Sequence, residues 1–374
     1  MSPSTEPSPH PFSIACVITP HGFGHAARAC AVMEALALLI PIRLTIITMV
    51  PIWFFKESLL FDFIYLPFNA DIGLSQKSSL EIDFPATLQA LKSFYPPTES
   101  NLTKLRKHIR GSDLVLCDIS PLGLIAAKAE NIPSVLLENF TWDWIYSSYI
   151  TPYPELSRFI DYLATIFQEA NYRIQTQPVC SSTNCDLKTN PISRETRNSP
   201  VHTRSRLKIC DGEKMVLITM GGIGNDNLSF NNLLTKLRKY PRAIFVAPGH
   251  QNPNLVRRDN LILLPRECGI FHPDLVAASD AVVGKTGYST LAEVYNASVP
   301  WGFISRNDFP ESPVLAGFIQ SHMSGLEITA EEFLNGAWTK KVLTLLELSH
   351  PKKPQLNGAH ETALFLTDIL SNSR

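Results

Sequence analysis

The chain has 374 residues, 45% of them hydrophobic, with 33 Lys and Arg against 34 Asp and Glu and a formal net charge of −1. That length provides for two domains, each with its own core, and a balanced charge with no basic run offers no electrostatic footprint for nucleic acid. The seven cysteines are scattered, which fits buried thiols in a reducing compartment. Cys180 and Cys185 form the one close pair and lack the second pair a zinc site needs, so no metal site is expected.

Residues 1–12, MSPSTEPSPHPF, are rich in Pro and Ser, lack the basic and apolar regions of a signal peptide, and are expected to form a disordered tail. From Ala29 to Phe55 the chain is apolar enough to suggest a membrane span, but Glu34, Pro41 and Arg43 interrupt it. A buried helix, a turn and a buried strand fit better. The expectation is a soluble, cytoplasmic protein with no transmembrane segment, peripheral membrane contact being left open.

Strand and helix signals then alternate to the end. Short apolar runs predict strands at Ile14–Thr19, Arg43–Thr48, Phe63–Pro67, Leu114–Cys117, Ser134–Leu137 and Tyr172–Thr176. A second set falls at Met215–Thr219, Ala243–Val246, Leu261–Leu264, Ala281–Val283, Pro300–Ile304 and Gly325–Ile328. Continuous apolar strands separated by helices imply parallel sheets covered on both faces. The fold class read from this is α/β, with two doubly wound Rossmann-like domains facing across a cleft. The first domain covers 13–180 and the second 208–350. A polar linker or loop at 181–207 joins them, and a C-terminal helix in 351–374 packs back on the first domain. Ligands belong at the carboxyl ends of such sheets.

Five segments carry chemistry. After the first strand, His21-Gly22-Phe23-Gly24-His25 leads into a helix. Gly22 and Gly24 match a relaxed dinucleotide fingerprint, but the second strand ends Thr48-Met49-Val50 without the ribose-binding acid, so NAD and FAD are not expected. Two histidines on a glycine turn remain, either as proton-transferring groups or as ordinary loop residues. Asp118 closes the fourth strand; it either caps the next helix or pairs with an imidazole at the same sheet edge. The run Phe140-Thr141-Trp142-Asp143-Trp144 is an aromatic cluster, an acceptor-side wall at Trp142 and Trp144 or simply core.

In the second half, Gly221 and Gly222 follow the first strand and permit close backbone approach to a phosphate, although a plain turn accounts for them too. The run Gly284-Lys285-Thr286-Gly287 is not a P-loop, because Ser279 stands where its first glycine is required. It does feed a helix opening at Tyr288-Ser289-Thr290, a helix start suited to a diphosphate, and Glu293 shares the face of Ser289 and Thr290. The alternative is an ordinary capped βαβ turn.

Taken in order, HGFGHAARA, LCDISPLG, NFTWDWIYSSY and ASDAVVGKTGYSTLAEVYNASVPWGFISRNDFPESP resemble the GT-B glycosyltransferases over nearly the whole chain. The resemblance is to the N-terminal, glycosyltransferase-like region of L-arabinokinase. The last segment is also similar to the donor-binding stretch of UDP-glycosyltransferases and of the peptidoglycan N-acetylglucosaminyltransferase. No kinase half follows Arg374, so the expectation is the transferase-like region standing alone.

By position, the resemblance makes His25 the general base and Asp118 its carboxylate partner. Lys285, Gly287, Ser289, Thr290 and Glu293, with Gly221 and Gly222, become donor contacts, and Asp308 and Glu311 lie near the donor sugar. His21, Gly22, Gly24, Trp142 and Trp144 fall on the acceptor side. The family's Asp-Gln pattern is replaced here by Asp308-Phe-Pro-Glu311, which leaves the donor sugar open. Retaining members carry two glutamates eight positions apart; counting from Glu293 reaches Lys285 and Trp301, which favours inversion. No Asp-x-Asp motif calls for a metal. The expected activity is metal-independent, inverting transfer from a nucleotide-diphosphate sugar, UDP-linked, to an acceptor hydroxyl. A non-catalytic nucleotide-sugar-binding module and a nucleotide-sugar epimerase are the alternatives. No cofactor is expected beyond the donor.

Overall fold

The computed structural model describes residues 10–77, 81–220, 230–265, 267–306, 308–352, 354 and 356–372. Seven strands form a first sheet: β1 (Phe12–Ile18), β2 (Ile42–Thr48), β3 (Phe63–Pro67), β4 (Leu114–Asp118), β5 (Ser134–Glu138), β6 (Tyr172–Thr176) and β7 (Leu187–Thr189). They lie in the order β3-β2-β1-β4-β5-β6-β7, and every pair is parallel. The second sheet holds β8 (Lys214–Thr219), β9 (Ala243–His250), β10 (Val256–Arg258), β11 (Leu261–Pro265), β12 (Ala281–Lys285), β13 (Trp301–Ile304) and β14 (Gly325–Ile328). Its order is β10-β11-β9-β8-β12-β13-β14. Only the edge strand β10 runs antiparallel to its neighbour among the described pairs.

All twelve expected strands are present, and β7 and β10 are additional. Both are three-residue edge strands, LKT and VRR, too short and too polar to show in an apolar pattern. As a result the segment expected to be a polar linker contributes an edge strand, and it also contains the helix Pro200–Arg206. At the other end, Phe12, placed in the tail by composition, is the first residue of β1.

The core follows from the pleat. Alternate β1 side chains enter different clusters: Ile14, Cys16 and Ile18 pack under the Gly24–Ala37 helix, and Ala15 and Val17 face the helices on the other side. The second sheet is covered on both faces in the same way. The C-terminal helix Gly358–Asn372 buries Ala359, Ala363, Leu366 and Leu370 in the core that contains the Gly24–Ala37 helix. The last segment of the chain is therefore part of the first domain's interior.

In each sheet the strand order reverses at one point, between β1 and β4 and between β8 and β12. There the connections leave in opposite directions and open a crevice at the carboxyl ends. β1 leads into His25, β4 ends at Asp118, and β12 ends at Lys285 just before the helix Tyr288–Ala297. The two crevices face each other: a methyl group on Gly24 would touch the Ser289 side chain at 3.9 Å. Both helix starts thus meet across the cleft.

Candidate active site between the two sheets

Gly22 adopts φ +72, the left-handed region open to glycine at little cost, and so lets the chain turn from β1 into its helix within a few residues. The turn places His25 at the helix start, with Nδ1 at 2.7 Å from Asp118 Oδ1. A carboxylate oxygen at that distance requires the proton to sit on Nδ1, so Nε2 is left as the basic nitrogen. Asp118 does not cap the following helix. The residue in the cap position is Ser120, which makes no side-chain cap bond.

Asp118 is completely buried. Burial alone would raise its pKa, but the Arg28 guanidinium, helped by His25, outweighs this and holds the carboxyl below its ordinary value. Arg28 was not singled out from the sequence. It lies one helical turn after His25 and grips both carboxylate oxygens, through Nε at 2.8 Å and Nη2 at 2.5 Å.

On the opposite wall the helix Tyr288–Ala297 opens at Gly287 with no side-chain cap, so its first N–H groups point toward the cleft. Lys285 precedes it, and Arg306 reaches in from beyond β13. Arg306 is only 8% exposed, yet its guanidinium lies 3.9 Å from the nearest carboxylate oxygen, on Glu311, and its Nε has no hydrogen-bond partner. Burial and the neighbouring Arg306 charge lower Lys285 to about 7. Burial, His25, Arg306 and Lys285 together bring His21 down to about 3. These groups, with Glu311, His25 and Arg28, line one cavity. It collects cations around an uncapped helix start, an arrangement that stabilises an anion.

A second cavity adjoins it. Ser289 and Thr290 line both, and Glu293 lines the second. Glu293 is buried, accepting from Arg194 Nη2 at 2.8 Å and lying 2.6 Å from His272 Nδ1. Burial would raise its pKa, but Arg194 and His272 prevail and place it at about 2. Arg194 comes from the segment between the domains. It stacks on Phe54 of the first domain and Phe271 of the second, at 5.0 and 4.8 Å from the ring centroids.

Other expected residues are placed differently. Trp142 is fully buried and donates its indole N–H to Asp71 at 2.6 Å, so it cannot offer a ring face to an acceptor. Its role is to pack edge-on against His21, at 5.2 Å. Trp144 packs partly buried against the same core and does not line the cavity. Asp308 is exposed and borders a separate groove, and its backbone carbonyl accepts from the Tyr149 hydroxyl. Glu311 does reach the cavity and accepts from Asn139 Nδ2 at 2.8 Å. Gly221 and Gly222 lie outside the described residues. Among the described residues, no cluster of three His, Cys, Asp or Glu could hold a metal ion, and no helix is long and apolar enough to cross a membrane.

Comparison with known proteins identifies the architecture. No family model matches the chain. L-arabinokinase of Arabidopsis thaliana is 26% identical over 359 residues, covering 94% of this chain and 34% of that protein. The chain thus spans about a third of the length of the curated relative it matches. The solved glycotransferase of kitacinnamycin superposes with a TM-score of 0.61 at 15% identity, over 98% of this chain and 96% of that one. UGT89C1 of Arabidopsis thaliana, complexed with UDP, gives 0.61 at 14% identity, over 96% and 99%. At these identities the structures establish the GT-B fold.

Proposed function

We propose that the chain is an inverting glycosyltransferase that moves a sugar from a UDP-sugar to an acceptor hydroxyl. The observation that carries the reading is the apposition in one cavity of His25, its Nδ1 held on Asp118, and the start of the Tyr288–Ala297 helix flanked by Lys285 and Arg306. A base on one wall and an anion-stabilising cluster on the other are what displacement at an anomeric carbon between them requires. The fold shared with UGT89C1 complexed with UDP supports the donor side of this reading.

In the proposed step, Nε2 of His25 takes the proton of the acceptor hydroxyl as its oxygen bonds to the anomeric carbon. The bond from that carbon to the diphosphate oxygen breaks on the opposite face, and the electron pair leaves with UDP. Attack and departure on opposite faces invert the centre. Lys285, Arg306 and the N–H groups following Gly287 meet the growing diphosphate charge, so the step needs no divalent ion. The nucleoside lies in the adjoining cavity with its ribose toward Glu293.

The test measures UDP-sugar binding by calorimetry and donor consumption across an acceptor panel. His25→Ala is expected to lower turnover by roughly 10²–10⁴-fold while leaving donor affinity almost unchanged. Full turnover in that variant removes the base assignment. One observation favours a binding module instead: the chain's match to L-arabinokinase is to a protein named as a kinase, not as a glycosyltransferase. That reading prevails if a donor binds and no acceptor yields turnover.

A further inference from the structure

Asp118 serves two partners, His25 and Arg28, and the second decides what the first can do. Arg28 stands on the same helix face as His25, three residues on. Its guanidinium is held from several sides. Nε and Nη2 take the two oxygens of Asp118 at the end of β4, and Nη1 donates to Asn139 Oδ1 at 2.7 Å just beyond β5. The Tyr288 ring of the second domain covers it at 4.9 Å. Asn139 in turn donates to Glu311, so the guanidinium is tied to the second domain at two places. Nη2 lies 3.2 Å from His25 Nδ1, and Oδ1 of Asp118 receives both groups.

We propose that Arg28 is a positioning residue for the His25–Asp118 pair: its grip on both Asp118 oxygens fixes the carboxylate that holds His25 Nδ1 and so sets how readily Nε2 takes a proton. A carboxylate alone beside an imidazole favours the imidazolium, and a base held in that state cannot accept a proton. Arg28 cancels the carboxylate's charge while leaving its oxygen to orient the ring. A proton on Nε2 would then stand close to a permanent guanidinium charge. The other groups facing His25 are fewer in effect. His21, from the preceding turn, is held neutral. From the second domain, Lys285, Arg306 and Glu311 line the same cavity, and from the first Phe140 and Trp142 present rings. Among the described residues only Asp118 and Arg28 come within hydrogen-bond distance of the His25 ring.

The inference rests on the general-base reading for its consequence in catalysis, but its test does not require turnover. The experiment follows the His25 ring resonances by NMR against pH in the full chain, in wild type, Arg28→Gln, Asp118→Asn and the double variant. Arg28→Gln is expected to move the titration midpoint up by at least about one pH unit, Asp118→Asn to move it down, and the double variant to fall between them. Arg28→Lys, which keeps the charge, should stay near wild type. A midpoint in Arg28→Gln at or below that of wild type overturns the proposal.

If Arg28→Gln does not fold, because it leaves Asp118 buried beside His25 alone, the double variant removes both charges and is compared with Asp118→Asn. Equal midpoints there also overturn the proposal. Where turnover is measurable, the acid limb of kcat/KM in Arg28→Gln should move to higher pH by the same amount. Absence of turnover in every form, wild type included, counts against the transferase reading and not against Arg28.

Discussion

At the scale of single residues the site depends on which charges are cancelled and which are left. Asp118 and Glu293 are each matched by an arginine, whereas Lys285 and Arg306 face the cavity with little to answer them. Lys285, lowered to about 7 by burial and by Arg306, is about half charged at neutrality in the free protein. A bound diphosphate would restore its full charge, so binding must take up protons. The sign follows for a UDP-sugar bound as proposed: its affinity is expected to be highest below pH 7 and to fall as the pH rises from there toward the pKa of the bound state. Calorimetry in buffers of differing ionisation heat should show uptake of about half a proton near pH 7, and Lys285→Met should abolish it. Proton release, or an unchanged uptake in that variant, would separate Lys285 from the anion. His25, Asp118 and the helix start after Gly287 were legible because each lies at a strand end in a distinctive motif. Arg28 was within reach of the same reading, being one turn from His25 in HGFGHAAR. Arg194, His272 and Asn139 were not, since their partners are far away in sequence, and no spacing marks Arg306.

At the scale of elements, the site exists because strands that end at the switch points can approach closely. Gly284 in β12 shows what that demands: a Cβ there would stand 2.0 Å from the Thr219 carbonyl oxygen of β8. A backbone atom cannot swing aside as a side chain can, so Gly284→Ala should destabilise the second domain by about 1–3 kcal/mol or more. Gly317, inside the exposed face of the Glu311–His322 helix, has open space around its Cβ position. Gly317→Ala should therefore stabilise by roughly 0.5–1 kcal/mol. Denaturant melts of the two variants should differ in sign, and a common sign would show that the packing at β12 is not the determinant. Element existence was plain from the apolar runs. The edge strands β7 and β10 escaped because each is three residues long and carries a single apolar residue, too little to show as a run. The aromatic cluster was ambiguous for a related reason: Trp142 and Trp144 look alike in sequence, and only their neighbours make one fully buried and the other partly so.

At the scale of the whole molecule, the two sheets are held together by contacts that also build the site. Arg194 links Ser58 of the first domain to Glu293 of the second, Asn139 reaches Glu311, and Tyr288 bonds to Thr176 and to the Ile192 N–H. The chain then returns, and the Gly358–Asn372 helix closes the first domain's core. Leu366 is completely buried there. Leu366→Ala should cost about 2–5 kcal/mol and lower the melting of the first domain, although the residue lies at the far end of the chain. A loss confined to the second domain, followed by hydrogen exchange, would contradict this placement.

Composition and periodicity by themselves determined that this chain folds as two parallel, doubly wound sheets, because burial on both faces leaves long apolar runs in each strand. They also pointed to the carboxyl ends of the strands as the place for a ligand, since the chain's unusual motifs fall there. Only the tertiary structure decided how the charges pair. An ion pair is set by distance in space, and Arg28, Arg194 and Arg306 differ in their partners while looking alike in sequence. Two of the three cancel a buried carboxylate, and Arg306 is left facing the cavity.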